Sequence, residues 1–294
     1  MSRLSPLATA ALMVPAILVI GIFMALPMAL ALAISFMTAD AYGGAHLPLS
    51  LAAYVQLLFQ ADFSGNLIFS LDYLQIFFRS VGLAFATTTI SFVLGLPMAW
   101  FIACQRPSRR AGLLFLVTLP FWTNLLIRTY CWVLILRDRG LVNDLLTGAG
   151  LLSHPLPLLY NDGSMLLGLV YSFLPFMILP IYSTLEQLDP RLVEASHDLY
   201  AGRIRTFLNV VWPAAKPGVA AGALLVFAPA LGTFITPDLL GGGKVMLLGN
   251  LIQNQFSSAR NWPFGAAVAI LLTVVVLSCV WLQSLRQERA ERTL

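Results

Sequence analysis

The reactive side chains of this 294-residue sequence are few and are badly arranged for covalent chemistry. A membrane enzyme needs acids, histidines or a nucleophile converging at one depth. His46 and His154 instead fall in connections on one side of the apolar runs, and His197 in a connection on the other. Cys104, Cys131 and Cys279 lie in or beside apolar runs, where small buried side chains are expected and neither a disulfide framework nor a metal cluster follows. Gly241-Gly242-Gly243-Lys244 is not a phosphate loop, because Val245 stands where Ser or Thr is needed and the first glycine of the spacing is missing. What remains suits passage of a solute. Asn124, Arg128 and Trp132 are spaced by four and so share a helix face, with Thr129 beside them. Trp122, Tyr130, Tyr171 and Phe173 add aromatic faces, and Asp138 and Asp238 are the nearest acids on the outer side. These groups can line a pore or gate, or form a hydrogen-bonded strut between helices. Arg128 would repel a cation, which leaves it to hold Asp138 or another carboxylate.

The elements that position these residues are membrane spans. The sequence is 59% hydrophobic and 10% charged, whereas a soluble globular chain is roughly 45–50% apolar and about 25% charged. Too little polar surface remains to coat a soluble fold. The net charge of +4 is thin and sits beside apolar runs, which argues against nucleic-acid binding. Six stretches meet or approach the ~20 apolar residues that cross a ~30 Å hydrocarbon layer. They run within 4–39, from Ser80 to Gln105, from Ala111 to Leu136, from Gly163 to Leu185, from Pro217 to Pro237 and from Asn261 to Leu285. The first is too long for a signal core and has no clear cleavage site, so it is expected to stay as an anchor. The fold class is therefore all-α, a single polytopic membrane domain over 1–294. Counting Lys and Arg on alternate sides gives eleven (Arg3, Arg106, Arg109, Arg110, Arg191, Arg203, Arg205, Lys216, Arg286, Arg289, Arg292) against five (Arg79, Arg137, Arg139, Lys244, Arg260). Both termini are expected in the cytoplasm. The outer segment from Asp40 to Arg79 reads as a cap with some short helix. Leu141 to Leu146 reads as helical, and Val245 to Phe256 as either a re-entrant or a surface helix.

The connection between the fourth and fifth spans, residues 189–217, has a pattern of its own. Asp189 can cap a helix that begins at Pro190, where the missing N–H costs nothing. A second helical stretch from Ile204 to Val211 runs to Trp212-Pro213, so two short helices with a bend are expected. Glu194-Ala195-Ser196 and Val210-Val211-Trp212-Pro213, at this separation, resemble the loop signature of permease subunits of binding-protein-dependent ABC importers. That signature has a third residue of alanine, here Ser196, and then a glycine that here is Tyr200. Either Gly202 serves the bend, or Tyr200 takes ordinary helical angles and fills a hole.

The segments Leu119-Pro120-Phe121-Trp122-Thr123-Asn124-Leu125-Leu126-Ile127-Arg128-Thr129-Tyr130, Arg137-Asp138-Arg139-Gly140-Leu141-Val142-Asn143 and Asn261-Trp262-Pro263-Phe264-Gly265-Ala266-Ala267 extend the likeness along most of the chain. They are similar to the spermidine/putrescine permeases within that group. The resemblance implies half of a translocation pore in the bacterial inner membrane, completed by a homologous second permease. It implies an ATPase dimer beneath, which carries ATP and Mg, and an external binding protein that delivers a polyamine. This chain would bind no cofactor itself. Glu194, Ala195, Ser196, Tyr200, Gly202 and Pro213 would couple it to the ATPase. Permeases for iron, sulfate and phosphonate compounds share the architecture. An ion-driven transporter would have no ATPase-docking loop and would more often carry a carboxylate within a span, and these spans contain no internal Asp or Glu.

Overall fold

A computed structural model describes residues 13–15, 17–40, 42–61 and 67–292. Arg3 and the start of the first apolar run lie outside them, as do the side chains of Arg286, Arg289 and Arg292. The chain opens with α1 (Met13–Ser35), the antiparallel pair β1 (Met37–Ala39) and β2 (Ala45–Leu49), and one turn of helix, α2 (Ala52–Val55). A second antiparallel pair, β3 (Phe59–Ala61) and β4 (Leu67–Phe69), precedes the long helix α3 (Asp72–Ala103). Helix α4 (Pro107–Thr118) and a 3-10 turn at Leu119–Trp122 lead to α5 (Leu125–Leu136) and α6 (Leu141–Gly148). Then come α7 (Asp162–Glu186), α8 (Pro190–Asp198), α9 (Arg203–Gly232), α10 (Ile235–Gly241), α11 (Leu248–Ser257) and α12 (Trp262–Arg292).

Among the described residues, five helices are long and apolar enough to cross a membrane, and a sixth span is counted if the bent pair Pro107–Trp122 and Leu125–Gly148 is one crossing. The expected third span is thus broken by a 90° bend. The protein is an all-helical polytopic membrane protein apart from two small antiparallel strand pairs among the described residues. Those pairs were not expected, because their strands are short and lack an alternating polar and apolar pattern. Helix α3 also starts eight residues before the predicted span, at Asp72. The cysteines differ from expectation as well: Cys104 and Cys131 are exposed on the isolated chain, and Cys279 is only partly covered.

The chain divides into two compact units. The first combines the described residues up to Leu74 with Leu251–Val275. Here the hairpin turn at Gly43 and Gly44, at φ +99° and +106°, needs glycine, and the Gly44 N–H donates to the Arg260 carbonyl at 3.1 Å. The Asn261-to-Ala267 segment starts α12: the Asn261 side-chain oxygen accepts from the Phe264 N–H at 3.2 Å, and Asn261 donates to Gln56 Oε1 at 3.2 Å. Phe264, Ala266 and Ala267 are fully buried, and the Tyr73 ring packs against Phe264 at 4.8 Å with the planes tilted by 54°.

The second unit combines Gln75–Asn250 with the segment from Val276. Its central element is α7. In the most apolar stretch of α7, 56% of residues are buried, against 28% in α3 and α9. Met177, Ile178, Ile181, Tyr182 and Leu185 of α7 pack with Leu96, Ala99 and Ile102 of α3 and with Val211, Ala215 and Val226 of α9. Small residues allow the approach: Gly95 and Gly222 both face Met177, and Gly218 faces the α7 backbone at Pro180 and Ile181.

Candidate functional site

The break in the third span is built by the residues singled out for chemistry. Pro120 opens the 3-10 turn, Thr123 and Asn124 are extended, and Asn124 caps α5 by accepting the Leu126 N–H at 2.8 Å. That use of its side chain takes Asn124 off the face that the spacing predicts for it. Arg128 reaches back eight residues and donates from Nη1 to the Pro120 carbonyl at 2.8 Å, which also accepts from the Thr123 hydroxyl at 2.8 Å. The guanidinium lies 5.7 Å from the Phe121 ring and 5.6 Å from the Tyr171 ring. Trp132 meets the same Tyr171 edge-on at 5.4 Å, so Arg128 and Trp132 do share a face, against α7. The partner of Arg128 is a carbonyl at the end of a helix. No ion pair joins it to Asp138 among the described residues. Trp122 is 78% and Tyr130 54% exposed, and Asp138 is exposed.

The connection that follows is organised by a residue whose role was not apparent from sequence. Asn143 is 1% exposed, donates to the carbonyls of Arg137 and Leu156, and accepts the Leu156 N–H at 2.9 Å. Gly140 sits where a Cβ would strike the carbonyls of Ile135, Leu134 and Arg137. Asn143→Ala should therefore lose three hydrogen bonds and cost about 3 kcal/mol. Faster proteolysis of the 149–160 segment in the purified protein checks this. Asp238 is exposed in the first turn of α10. Gly242 and Gly243 end α10 at φ +65° and +67°, where Tyr160 covers Gly242. Helix α11 covers most of the Val245-to-Phe256 segment, with Leu248, Leu251 and Gln255 on its buried side.

In the 189–217 connection, Asp189 accepts the Arg191 N–H at 2.9 Å and α8 begins at Pro190, as the sequence predicts. The second short helix does not stand alone: it forms the first turns of α9, which runs unbroken to Gly232 through a π-helical turn at Phe207–Val211. The end of α8 resolves the glycine question differently from either expectation. Tyr200 itself adopts the left-handed conformation at φ +57°, while Gly202 is extended at φ −67° and ψ 161°. The Ala201 N–H donates to the Ser196 carbonyl at 3.0 Å and the Tyr200 N–H to His197 at 2.9 Å, the pairing of a Schellman turn with tyrosine in the usual glycine place. Tyr200 fills no hole, being 96% exposed, and Leu199 and Ile204 are 82% and 76% exposed. Glu194, Ala195 and Pro213 are exposed too. Tyr200→Gly should remove about 1–2 kcal/mol of left-handed backbone cost and slow amide exchange at residues 199–201.

Ser196 joins the two sides of the bend. Its hydroxyl donates to the Val193 carbonyl at 2.7 Å and lies 2.8 Å from the hydroxyl of Thr206. Thr206 is 5% exposed. At the adjoining end of α7, Arg110 lies 3.6 Å from Glu186 and donates to the Gln105 carbonyl at 2.8 Å. Arg110 is 25% and Glu186 48% exposed, and at 3.6 Å the pair contributes modestly to stability. Among the described residues, no group of three or more His, Cys, Asp or Glu side chains is placed to hold a metal ion.

Residues 73–292 match the family of binding-protein-dependent transport system inner membrane components. The chain is 42% identical over 254 residues to the spermidine/putrescine transport system permease protein PotB of Haemophilus influenzae, covering 86% of this chain and 85% of that protein. It is 40% identical to PotB of Escherichia coli K12, covering 87% and 89%. The fold is similar to a crystal structure of a bacterial ABC transporter involved in import of the acidic polysaccharide alginate, with a TM-score of 0.75 over 96% of this chain and 95% of that one. At 17% identity, that likeness concerns the fold. Family membership implies a complex in which a paired permease, an ATPase and a substrate-binding protein work together. A multi-pass membrane chain matched over three quarters of its length belongs to the binding-protein-dependent transport system inner membrane components and is an ABC transporter permease subunit.

Proposed function

We propose that this permease forms half of the pore of a polyamine importer, taking spermidine or putrescine from a binding protein and moving it inward as a separate ATPase dimer binds and hydrolyses ATP with Mg. The observation that carries the substrate is the level of identity. It is 40–42% over more than four fifths of the chain to spermidine/putrescine permeases, against 29% over 54% to a molybdenum permease of Azotobacter vinelandii. In this reading both termini are cytoplasmic, 1–294 works as one permease domain, and the 189–217 loop meets the ATPase. The exposed apolar side chains Leu199, Tyr200 and Ile204 support that role, since such groups on a loop between spans need a cover, and Glu194 is exposed on the same loop.

Asn124 and Arg128 are engaged in the break, and Trp132 packs on Tyr171. Trp122, Tyr130, Asp138 and Asp238 are therefore the residues offered to a passing polycation, through aromatic faces and carboxylates. Contacts of this kind are weak and leave selection to the binding protein and the partner permease. The test is ATP-dependent uptake by the reconstituted four-component importer of labelled spermidine and putrescine beside molybdate and sulfate. Uptake of either amine is expected. Transport of an anion in its place would overturn the substrate.

A further inference from the structure

Residue 196 is serine where the resembled loop signature has alanine, and in the structure its hydroxyl is fully employed. A serine hydroxyl has one proton and can accept as well. The proton goes to the Val193 carbonyl at 2.7 Å, so the 2.8 Å contact with Thr206 is a bond in which Thr206 donates and Ser196 accepts. The Ser196 carbonyl meanwhile accepts the Ala201 N–H at 3.0 Å. One residue of α8 thus holds the Tyr200 turn through its backbone and the head of α9 through its side chain. Thr206 is 5% exposed and lies just before the π turn, in a helix that continues without a break to Gly232. A swing of α8 relative to α9 must therefore break a sheltered hydrogen bond.

We infer that Ser196 and Thr206 are positioning residues that latch α8 to α9, so that displacement of the loop is delivered to the fifth span. This rests on the proposal that the ATPase acts on the 189–217 loop. The latch makes the Pro190–Asp198 helix and the α9 helix one lever, with the strained Tyr200 turn as the elbow that the latch spans. The hydroxyls act through the two helices they join.

The test uses the complete importer in lipid vesicles, with wild-type chain, Ser196→Ala, Thr206→Val, the double variant and Thr206→Ser. Hydrogen exchange is followed at 190–201 and at 203–215 on addition of a non-hydrolysable ATP analogue, a readout independent of substrate. In the wild type both segments should respond. In Ser196→Ala and Thr206→Val the first should respond and the second should not, and solute uptake per ATP hydrolysed should fall about fivefold, the factor one such hydrogen bond carries. The double variant should be no worse than either single variant, because both remove the same bond. Thr206→Ser, which keeps the hydroxyl, should behave as wild type. Joint response in the wild type with an unchanged response in Thr206→Val overturns the latch and leaves the docking proposal standing. A wild-type loop that does not respond to nucleotide overturns both.

Discussion

Gly218→Val is expected to prevent accumulation of folded permease, and Gly218→Ala to destabilise it by about 2–3 kcal/mol. A Cβ at residue 218 would lie within 3.0 Å of Thr184 Oγ1, the Pro180 carbonyl and the Ile181 Cα. Only the first of these can rotate away, because the other two are backbone of α7. The seam between α7 and α9 is an extensive helix pairing, so separating the helices at Gly218 also loosens Met177, Ile181 and Ala215. Total stability of a folded chain is about 5–15 kcal/mol, so the alanine alone removes a large share. Gly82→Ala is the control. Nothing lies within 4 Å of its Cβ position, and alanine in a helix interior gains up to about 1 kcal/mol over glycine. Thermal unfolding of the two purified alanine variants should shift in opposite directions, and equal shifts would contradict the close approach.

The parts of this fold that depend on short-range pattern were legible in the sequence. Apolar runs long enough to cross the membrane marked the spans, and Asp189-Pro190 marked the start of α8 because a cap and a first-turn proline act within three residues. The errors have particular causes. Trp212-Pro213 reads as the end of one helix and Pro217 as the start of the next span, yet α9 continues through both. The π-helical turn at Phe207–Val211 shifts the hydrogen-bond register just before Pro213, which has no N–H to give. Tyr200 in the left-handed region breaks the rule that assigns such positions to glycine, and the local sequence offered Gly202 instead. The Ser196–Thr206 bond spans ten residues and the Asn143–Leu156 bond thirteen, so neither leaves a periodic trace. The three long segments that carry the family likeness prove to be structural devices: a span break, a loop organised by Asn143, and the start of α12.

That distinction bears on Arg128, for which the sequence allowed a pore group or a strut. Within hydrocarbon a helix end must satisfy its own carbonyls, and the third span ends one helix and starts another part-way along. The Pro120 carbonyl belongs to the end of the first segment, and Arg128, in the first turn of the second, donates to it at 2.8 Å. The charge is sheltered between Phe121 and Tyr171, and Phe121 packs in turn on Phe176 at 4.8 Å. A charged hydrogen bond contributes about 1.5–3 kcal/mol and a partly desolvated cation–π contact about 0.5–2 kcal/mol. Arg128→Ala is therefore expected to destabilise the permease by about 3 kcal/mol. Arg128→Lys should recover less than half of that, since a compact ammonium lacks the flat face that stacks between two rings. The transport readout separates strut from pore. As a strut, Arg128→Ala lowers uptake in proportion to the folded importer that remains, with KM for spermidine unchanged. A cation lining the route would repel a polyamine, so its removal from a pore would instead lower KM while unfolding stayed at the wild-type temperature. The geometry around Pro120 makes the first result the expected one.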